Sequence, residues 1–232
     1  MMQSLILFVK DKRIDLSSKG FCIKERPHIP TTKARVESID VQGRDGSLHI
    51  DKGYEDIDIS VELNILDDKM QSRIREVKGL IFDCDKILFS DDEHFCYIVN
   101  SVTIGDIENE VNYYGSFEVT FNCRPFVYKV STFEYKTISN SLFVEGYKAA
   151  PLFKITKTGE YFKFAIDDNI IGVNTSARVV YIDFDNLTCY SEGINLLDKM
   201  TGEFTELFNG NHTISNKSNV EKIEVITREG WR

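Results

Sequence analysis

The residues of this sequence best suited to catalysis are two acidic pairs, Asp167 with Asp168 and Asp183 with Asp185. Glycoside hydrolysis uses two carboxyl groups about 5–10 Å apart on either side of a cleft. The sequence has no serine-nucleophile elbow, phosphate-binding loop, dinucleotide-binding motif or zinc-protease motif that would indicate an active site. We therefore expect no catalytic residues, and an enzyme that uses these acidic pairs is an alternative hypothesis.

A second group with chemical potential is the run from Asp91 to His94, which holds three carboxylates and an imidazole. These groups are metal ligands, but no second cluster with metal-like spacing follows, and acidic residues are common in turns. The five cysteines are an odd number without CxxC spacing, which is typical of reduced, buried thiols. The sequence therefore predicts no metal site, no disulfide framework and no cofactor.

The composition narrows the class of protein. Sixteen Phe and ten Tyr with only four Pro favour a β-rich globular fold. The net charge of −9 argues against nucleic-acid binding through phosphate neutralisation. The apolar run Leu5–Val9 is too short for a signal peptide, and no stretch reaches the roughly 20 apolar residues of a membrane span. We expect a protein made in a cytoplasm, with neither membrane insertion nor a specific nucleic-acid partner.

The elements that must position these residues are organised around the stretch from Arg35 to Glu62. Two strand-like runs flank the loop QGRDG, in which Gly43 and Gly46 permit a positive φ. From Ile57 to Ile65, apolar and polar residues alternate over nine positions. This alternation predicts a strand with one buried face and one solvated face.

The rest of the first half predicts one helix and one long hairpin. An apolar stripe at helical spacing consists of Met70, Ile74, Val77 and Ile81. It predicts a helix over Asp67–Phe82 that covers a sheet. Ser101–Phe121 has the pattern of a hairpin with an acidic tip at Gly105–Glu110, and Pro125 is expected to end its second strand. An isolated hairpin is marginally stable in water, so we expect a partner to cover this one.

The second half differs in pattern from the first. Between residues 135 and 147 the periodicity fades, and we place the domain boundary there, with domains at residues 1–135 and 136–232. Short strand-like runs with turn signals and no helix follow, which predicts an all-β sandwich. Its aromatic residues Tyr181, Tyr190 and Phe208 are expected in the core, with presentation to a sugar as the alternative.

The order of short motifs along the chain resembles the distal tail proteins of long-tailed phages. These motifs are GRDG with Tyr54, IREVK at 74–78, LFSDD at 88–92, FNCRPF at 121–126, APLFKI at 150–155 and REGWR at 228–232. The resemblance covers nearly the whole chain. It implies a mainly β (α+β) protein with two domains. The N-terminal domain would be β-sandwich-like with one helix and a long hairpin, and the C-terminal one a galectin-like or carbohydrate-module-like β-sandwich.

The resemblance also implies a structural, non-enzymatic protein of the virion tail tip, made in a bacterial host. Six copies would form a ring, alone or back to back with a second ring, that joins the tail tube to the tip apparatus and lets DNA pass. The expected partners are its own copies, the major tail tube protein, the tail-tip protein and the tape-measure protein, with a receptor-binding protein or a host glycan as further candidates. The alternative function is a carbohydrate-binding accessory protein that uses the C-terminal sandwich for host attachment.

A ring of this kind needs contact residues and a bore that DNA does not adhere to. The candidate ring or partner contacts are Arg44 and Asp45 in the glycine loop, and Asp106, Glu108 and Glu110 at the hairpin tip. Six copies of a chain with net charge −9 carry −54 formal charges. An acidic bore would therefore repel passing DNA.

Overall fold

The computed structural model describes residues 3–66, 70–106, 108–111 and 114–232. The chain divides into two compact units, Met1–Val127 with Arg232, and Tyr128–Trp231. The described residues are mainly β with one α-helix, so the expected fold class is confirmed. None of the helices in these ranges is long and apolar enough to cross a membrane.

The first unit begins with three short strands and ends in a long one. In chain order its elements are β1 (Leu5–Val9), β2 (Lys12–Asp15), a 3-10 turn (Leu16–Lys19), β3 (Phe21–Ile23), β4 (Ala34–Ile39), β5 (Leu48–Tyr54), β6 (Ile57–Leu66), α1 (Met70–Phe82), β7 (Lys86–Phe89), β8 (Phe95–Ile104), β9 (Glu108–Val111) and β10 (Tyr114–Lys129). The main sheet has the order β10-β8-β7-β1-β2, with β6 and β9 also paired to β10 and β3 paired to β6. β4 and β5 form a separate two-stranded ribbon.

The core of the first unit is built on β6 and its partner β10. Their antiparallel register runs from Ile57 opposite Cys123 to Leu66 opposite Tyr114. The predicted alternation of β6 is confirmed, since its apolar residues from Ile57 to Ile65 are all buried. The helix α1 buries three residues in the same cluster, namely Ile74, Val77 and Ile81. The predicted start of this helix, at residues 67–69, lies outside the described residues.

Two features of the predicted hairpin are wrong. Residues Glu108–Val111 form β9 and pair with β10, so the acidic tip is a strand from residue 108 onward. Glu and Asn are depleted in strands, and the sequence therefore resembled a loop. β10 also continues through Pro125 to Lys129. Its ladder with β6 ends at Cys123, so the missing N–H of Pro125 breaks no bond there.

The second unit is a β-sandwich. Its elements are a 3-10 turn (Val130–Phe133), β11 (Lys136–Ile138), β12 (Ser141–Ala149), β13 (Leu152–Lys157), β14 (Tyr161–Ile166), β15 (Asn169–Asn174), β16 (Val179–Asp183), β17 (Thr188–Ser191), β18 (Ile194–Asn195), a 3-10 turn (Leu197–Lys199), β19 (Met200–Thr201), β20 (Leu207–Ser218), β21 (Val220–Ile226) and β22 (Glu229–Trp231). One sheet has the order β19-β15-β14-β20-β12-β22, and the other β11-β21-β13-β16-β17-β18. Both sheets contribute to one apolar core, in which the ring of Phe153 lies 5.7 Å from that of Phe164.

Strand β12 lies in the region where the sequence showed no clear alternation of apolar and polar residues, and a β-bulge explains this. Its register with β20 shifts between Val144 and Lys148, which interrupts the alternation of buried and exposed residues. The buried carboxylate of Glu229 accepts the backbone N–H groups of Glu145 and Gly146 at 2.8 and 3.1 Å. A bulge held by a residue more than eighty positions away leaves no local signal in the sequence.

Candidate functional site

The ribbon of β4 and β5 carries an exposed apolar stripe. Ile39 pairs with Leu48, and Glu37 pairs with Ile50. Residues that pair across strands, or lie two apart along one strand, share a face. Ile39, Leu48 and Ile50 therefore form one continuous surface, which we call the ribbon stripe, and each is 39–43% exposed. An apolar surface of this kind on a two-stranded element is suited to contact with another chain.

Polar interactions border the ribbon stripe. On the same face, Lys52 forms an ion pair with Glu37 at 2.9 Å. On the opposite face, the hydroxyl of Ser38 lies 3.0 Å from Nδ1 of His49. The two faces of the ribbon thus differ in chemistry, and one of them is predominantly apolar.

The loop at the tip of the ribbon holds two of the predicted contact residues. Gly43 and Gly46 have φ of +82° and +75°, so the predicted positive φ is confirmed at both. The tight turn is closed by the N–H of Arg44, which donates to the carbonyl of Val41 at 3.2 Å. Arg44 and Asp45 are both exposed at the outer end of the ribbon.

The other end of the ribbon is fixed by aromatic contacts. The ring of Tyr54 meets that of Phe126 edge to face, with centroids 5.2 Å apart. The guanidinium of Arg232 lies 5.1 Å from the centroid of the Tyr54 ring. The N–H of Glu55 donates to the carbonyl of Lys33 at 2.8 Å and closes the base of the hairpin. The ribbon is therefore anchored at its base, and the stripe and the tip project from it.

An acidic groove of about 550 Å³ lies on the solvated face of the first unit. Its carboxylates come from Glu25, Asp58, Glu62, Asp106 and Glu118, and its basic side chains from Arg26 and His28. The predicted contact residue Asp106 is thus part of the groove. Glu108 and Glu110 belong to β9, and their side chains lie outside the described residues.

Two carboxylates of the groove directly oppose each other across the central strands. Glu62 of β6 pairs with Glu118 of β10. Like charges in this arrangement destabilise a sheet. Lys24 offsets part of this repulsion through a 2.8 Å ion pair with Glu62. A basic group from a partner, placed in the groove, would offset more of it.

Several of the acidic groups considered for catalysis or metal binding contact basic side chains instead. Asp91 forms a 2.8 Å ion pair with Arg26, and Glu93 a 2.6 Å pair with Arg13. In the second unit, Asp167 lies 2.7 Å from Nδ1 of His212. Among the described residues, no three His, Cys, Asp or Glu side chains are grouped so as to hold a metal ion.

Four of the five cysteine thiols are buried and have little nucleophilic character. Burial raises the pKa of Cys84, Cys96 and Cys123 to about 12, and that of Cys189 to about 11. The thiolate is the reactive form of cysteine, so these side chains stay protonated near neutral pH.

The aromatic residues considered for sugar contact lie outside the core, contrary to the expectation from the sequence. Tyr181 and Tyr190 are half-buried, and both alternate with the buried residues of β16 and β17. They therefore point away from the sandwich core. Phe208 is 53% exposed. Aromatic residues on pleated surfaces give the same sequence pattern whether the face is buried or open, which is why the sequence did not distinguish the two.

Comparisons with known proteins bear on both units. Residues 15–123 match the family model of the phage tail protein RIFT-related domain. The whole chain is similar to the Dit protein of phage SPP1, with a TM-score of 0.65, 13% identity and 100% of both chains covered. The chain thus has a Dit-like fold, and its residues 15–123 are similar to a phage tail domain. The resemblance drawn from its sequence motifs is thereby confirmed.

The Dit-like fold recurs in a second solved structure. A chain of the phage P2 baseplate, in its activated conformation with Ca, is similar to this one at a TM-score of 0.59, with 13% identity and 98% of each chain covered. No sequence match was found among curated proteins. The chain is thus related by fold to structural components of phage tails and baseplates.

The ribbon stripe was not identified from the sequence as a candidate contact surface. Its three residues belong to the two strand-like runs around the glycine loop, which have the pattern of ordinary strands. A signal was present, since charged residues interrupt both runs, Arg35 and Glu37 in the first and Asp51 and Lys52 in the second, so neither has the long apolar alternation of β6. That pattern favours a projecting ribbon over a core strand.

Proposed function

We propose that this chain is a structural hub protein of the phage tail tip. Six copies form a ring that connects the tail tube to the tip apparatus and leaves a channel for DNA. The phage tail domain in residues 15–123 and the fold shared with SPP1 Dit support this proposal. SPP1 Dit is described as a paradigm of the hub adsorption apparatus in phages that infect Gram-positive bacteria.

The observation that carries the proposal is the exposed ribbon stripe. A two-stranded ribbon is marginally stable alone, and burial of apolar surface contributes about 25 cal/mol per Å². Ile39, Leu48 and Ile50 are still 39–43% exposed, and this remaining surface contributes only when a partner covers it. A second copy of the chain is the partner that is always present, and head-to-tail contacts between identical chains form a ring when the rotation between neighbours closes.

The charges of the first unit suit such a contact. Arg44 stands at the free end of the ribbon, and the acidic groove has more carboxylates than basic groups. In a ring, the tip of one copy would approach the groove of the next, with Arg44 near Asp106 or Glu118. The basic group would offset the repulsion between Glu62 and Glu118. Arg44, Asp45 and Asp106 are then ring contacts.

The overall charge suits a channel for DNA. A hexamer carries −54 formal charges, and the exposed acidic turn at residues 91–93 lies outside the groove that the neighbouring ribbon tip would fill. A negative surface repels the phosphate backbone, especially at low salt. The ring would therefore admit DNA and the tape-measure protein without retaining the DNA. Its remaining partners would be the major tail tube protein on one side and the tail-tip protein on the other, with no catalytic role for the chain itself.

The ring contact is tested by placing charges on the ribbon. Ile39→Asp with Leu48→Asp adds two carboxylates to the stripe, and Ser38→Asp with His49→Asp adds two to the polar face as a matched control. Native mass spectrometry of both variants and the wild type at equal concentration measures the assembly. The stripe variant should dissociate to monomers, whereas the control should keep the wild-type assembly. If both variants assemble like the wild type, the stripe is not a ring contact.

A second candidate function is glycan binding by the second unit. It is favoured by the positions of Tyr181 and Tyr190, which lie on the surface of the sandwich instead of in its core. Aromatic rings and polar groups on one surface are the combination that holds a sugar. This function would be added to the structural one, because the ring contacts are proposed in the first unit.

A further inference from the structure

The outer face of the six-stranded sheet in the second unit carries a continuous row of side chains. Cross-strand pairing joins Glu224 to Lys154, Lys154 to Tyr181, Tyr181 to Tyr190, and Tyr190 to Asn195. The row thus takes one residue from each of five neighbouring strands, and we call it the tyrosine row. With strands about 4.8 Å apart, it extends over about 19 Å. The neighbouring positions Phe153, Ile155, Ile182, Cys189 and Ile223 are buried in the core, so the row faces outward.

Three aromatic rings lie on this face. The rings of Tyr181 and Tyr190 are stacked, with centroids 5.2 Å apart and an angle of 12° between their planes. Tyr135, which precedes β11, is 43% exposed, and the neighbouring Tyr181 and Tyr190 contribute to raising its pKa after the larger effect of burial. The ammonium of Lys154 lies 5.4 Å from the centroid of the Tyr135 ring. Burial raises the pKa of Tyr190, so its hydroxyl stays neutral and can both donate and accept hydrogen bonds.

The charged groups of this face compensate one another. Lys154 and Lys222 both contact Glu224, at 3.3 and 2.8 Å. Arg228 pairs with Asp183 at 2.7 Å beside the tyrosines. Arg228 also lies 3.6 Å from Asp185, so three basic groups face three carboxylates and the surface has no net charge that would select an anion or a cation. It offers instead fixed donors and acceptors next to aromatic rings.

This combination matches one chemical class of ligand. A neutral oligosaccharide has C–H surfaces that pack on aromatic rings and hydroxyl groups that bond to amide, ammonium and carboxylate groups. We propose that the tyrosine row is a binding site for a neutral oligosaccharide, with Tyr181 and Tyr190 as the aromatic contacts and Lys154, Glu224 and Asn195 as the hydrogen-bonding groups. The proposal rests on the second candidate function, and it is independent of ring assembly.

The test uses the full-length protein and a panel of soluble sugars, namely maltohexaose, cellohexaose, chitohexaose and lactose. Saturation-transfer NMR at millimolar sugar identifies binding, and calorimetry measures the affinity. Tyr181→Ala with Tyr190→Ala should weaken binding by at least about tenfold, as expected for the loss of two aromatic contacts. Tyr161→Ala is the matched control, because Tyr161 is an exposed tyrosine on the other sheet of the same unit. It should bind like the wild type.

A conservative pair separates stacking from hydrogen bonding. Tyr181→Phe with Tyr190→Phe keeps both rings and removes both hydroxyls, so it should retain more affinity than the double alanine variant. Thermal melting and native mass of every variant should match the wild type, which shows that fold and assembly are intact. If the double alanine variant is misfolded, the site is tested instead by the sugar affinity of the double phenylalanine variant and of Lys154→Met.

Each other outcome is informative. If the wild type binds no sugar of the panel, both the site and the glycan function are overturned, while the ring proposal stands. If the wild type binds and the alanine pair binds equally well, the glycan function stands and this site is wrong. If the tyrosine variants lose a protein partner of the tail instead of a sugar, the face is a protein interface and the proposal is overturned.

Discussion

The guanidinium of Arg228 donates to both carboxylate oxygens of Asp183, at 2.7 and 3.1 Å, and joins the end of the chain to β16. Asp183 also accepts the side-chain amide of Asn186 at 2.9 Å. Arg228 adopts a φ of +50°, an uncommon conformation for a residue with a side chain. Its N–H donates to the carbonyl of Thr132 at 3.1 Å, so the pair also holds the segment before β22 in place.

This pair predicts an acid dependence of stability. Burial alone would raise the pKa of Asp183, but the hydrogen bonds from Arg228 and Asn186 outweigh it and lower that pKa below its usual range. The stabilisation is therefore present above the unfolded-state value of about 4 and is lost as the pH falls through the folded-state pKa. We expect the melting temperature of the wild type to decrease as the pH is lowered below about 4.

The control for this effect is Asp183→Asn, which removes the titrating group. It should melt at a lower temperature than the wild type at pH 7 and show a weaker fall in acid. Removing one partner of a buried ion pair costs about 3 kcal/mol, so Arg228→Gln should be destabilised on that scale. If the melting temperature of Asp183→Asn depends on pH as that of the wild type does, other carboxylates cause the loss of stability in acid.

Lys157 predicts a second local effect on stability. This lysine is 4% exposed, and its ammonium donates to the carbonyls of Gly159 at 2.5 Å and Thr175 at 2.6 Å. It joins the loop after β13 to the loop after β15. Lys157→Met keeps the length of the side chain but leaves these carbonyls without their donor, which should lower the free energy of unfolding by about 1–3 kcal/mol. Chemical denaturation measures this, with Lys163→Met, a half-exposed lysine on β14, as a control expected to be near neutral.

The glycine loop predicts an effect that depends only on backbone conformation. A Cβ added at Gly43, Gly46 or Gly79 would meet no atom within 4 Å, but the first two have positive φ. Valine in a left-handed conformation costs about 1–2 kcal/mol. Gly43→Val and Gly46→Val should therefore be destabilised, whereas Gly79→Val in the exposed helix should be neutral or slightly stabilised. The melting temperatures of the three variants are compared with that of the wild type. Equal melting temperatures would show that the positive φ of Gly43 and Gly46 does not make valine destabilising.

Sequence periodicity predicted the parts of the fold that depend on local burial. The strand β6 and the helix α1 have one face in the core, and both were visible as apolar patterns. Strand β9 pairs with the next strand, β10, and was missed because Glu and Asn are uncommon in strands. The bulge in β12 instead depends on Glu229, a partner that is distant in sequence. No pattern along the chain specifies such partners.

The candidate site was only partly predictable for the same reason. The positive φ of Gly43 and Gly46 followed from residue type and is confirmed. Identifying Ile39, Leu48 and Ile50 as one exposed stripe required knowledge that β4 and β5 pair with each other and with no third strand among those described. The role of Arg44, Asp45 and Asp106 as ring contacts stays a prediction, as does the boundary at residue 135.

The acidic channel predicts how the protein responds to DNA. Wild-type protein should not bind duplex DNA at low salt, where attraction to a basic surface would be strongest. Asp92→Lys with Glu93→Lys reverses two charges of the exposed acidic turn at residues 91–93 in each of six copies, so it should create binding that weakens steeply with added salt. Glu192→Lys with Glu203→Lys, on exposed turns of the second unit, is the control of equal charge. Salt-sensitive DNA binding by the wild type itself would contradict an acidic channel.

The measurement that tests the ring most directly is the mass of the purified wild-type protein under native conditions. Six copies of 26.7 kDa give about 160 kDa, or twice that for two rings back to back. Native mass spectrometry should show one of these masses, and electron microscopy of the same sample should show six-fold particles with a central channel. A stable 26.7 kDa monomer at micromolar concentration, with the ribbon stripe left uncovered, would contradict the proposed function.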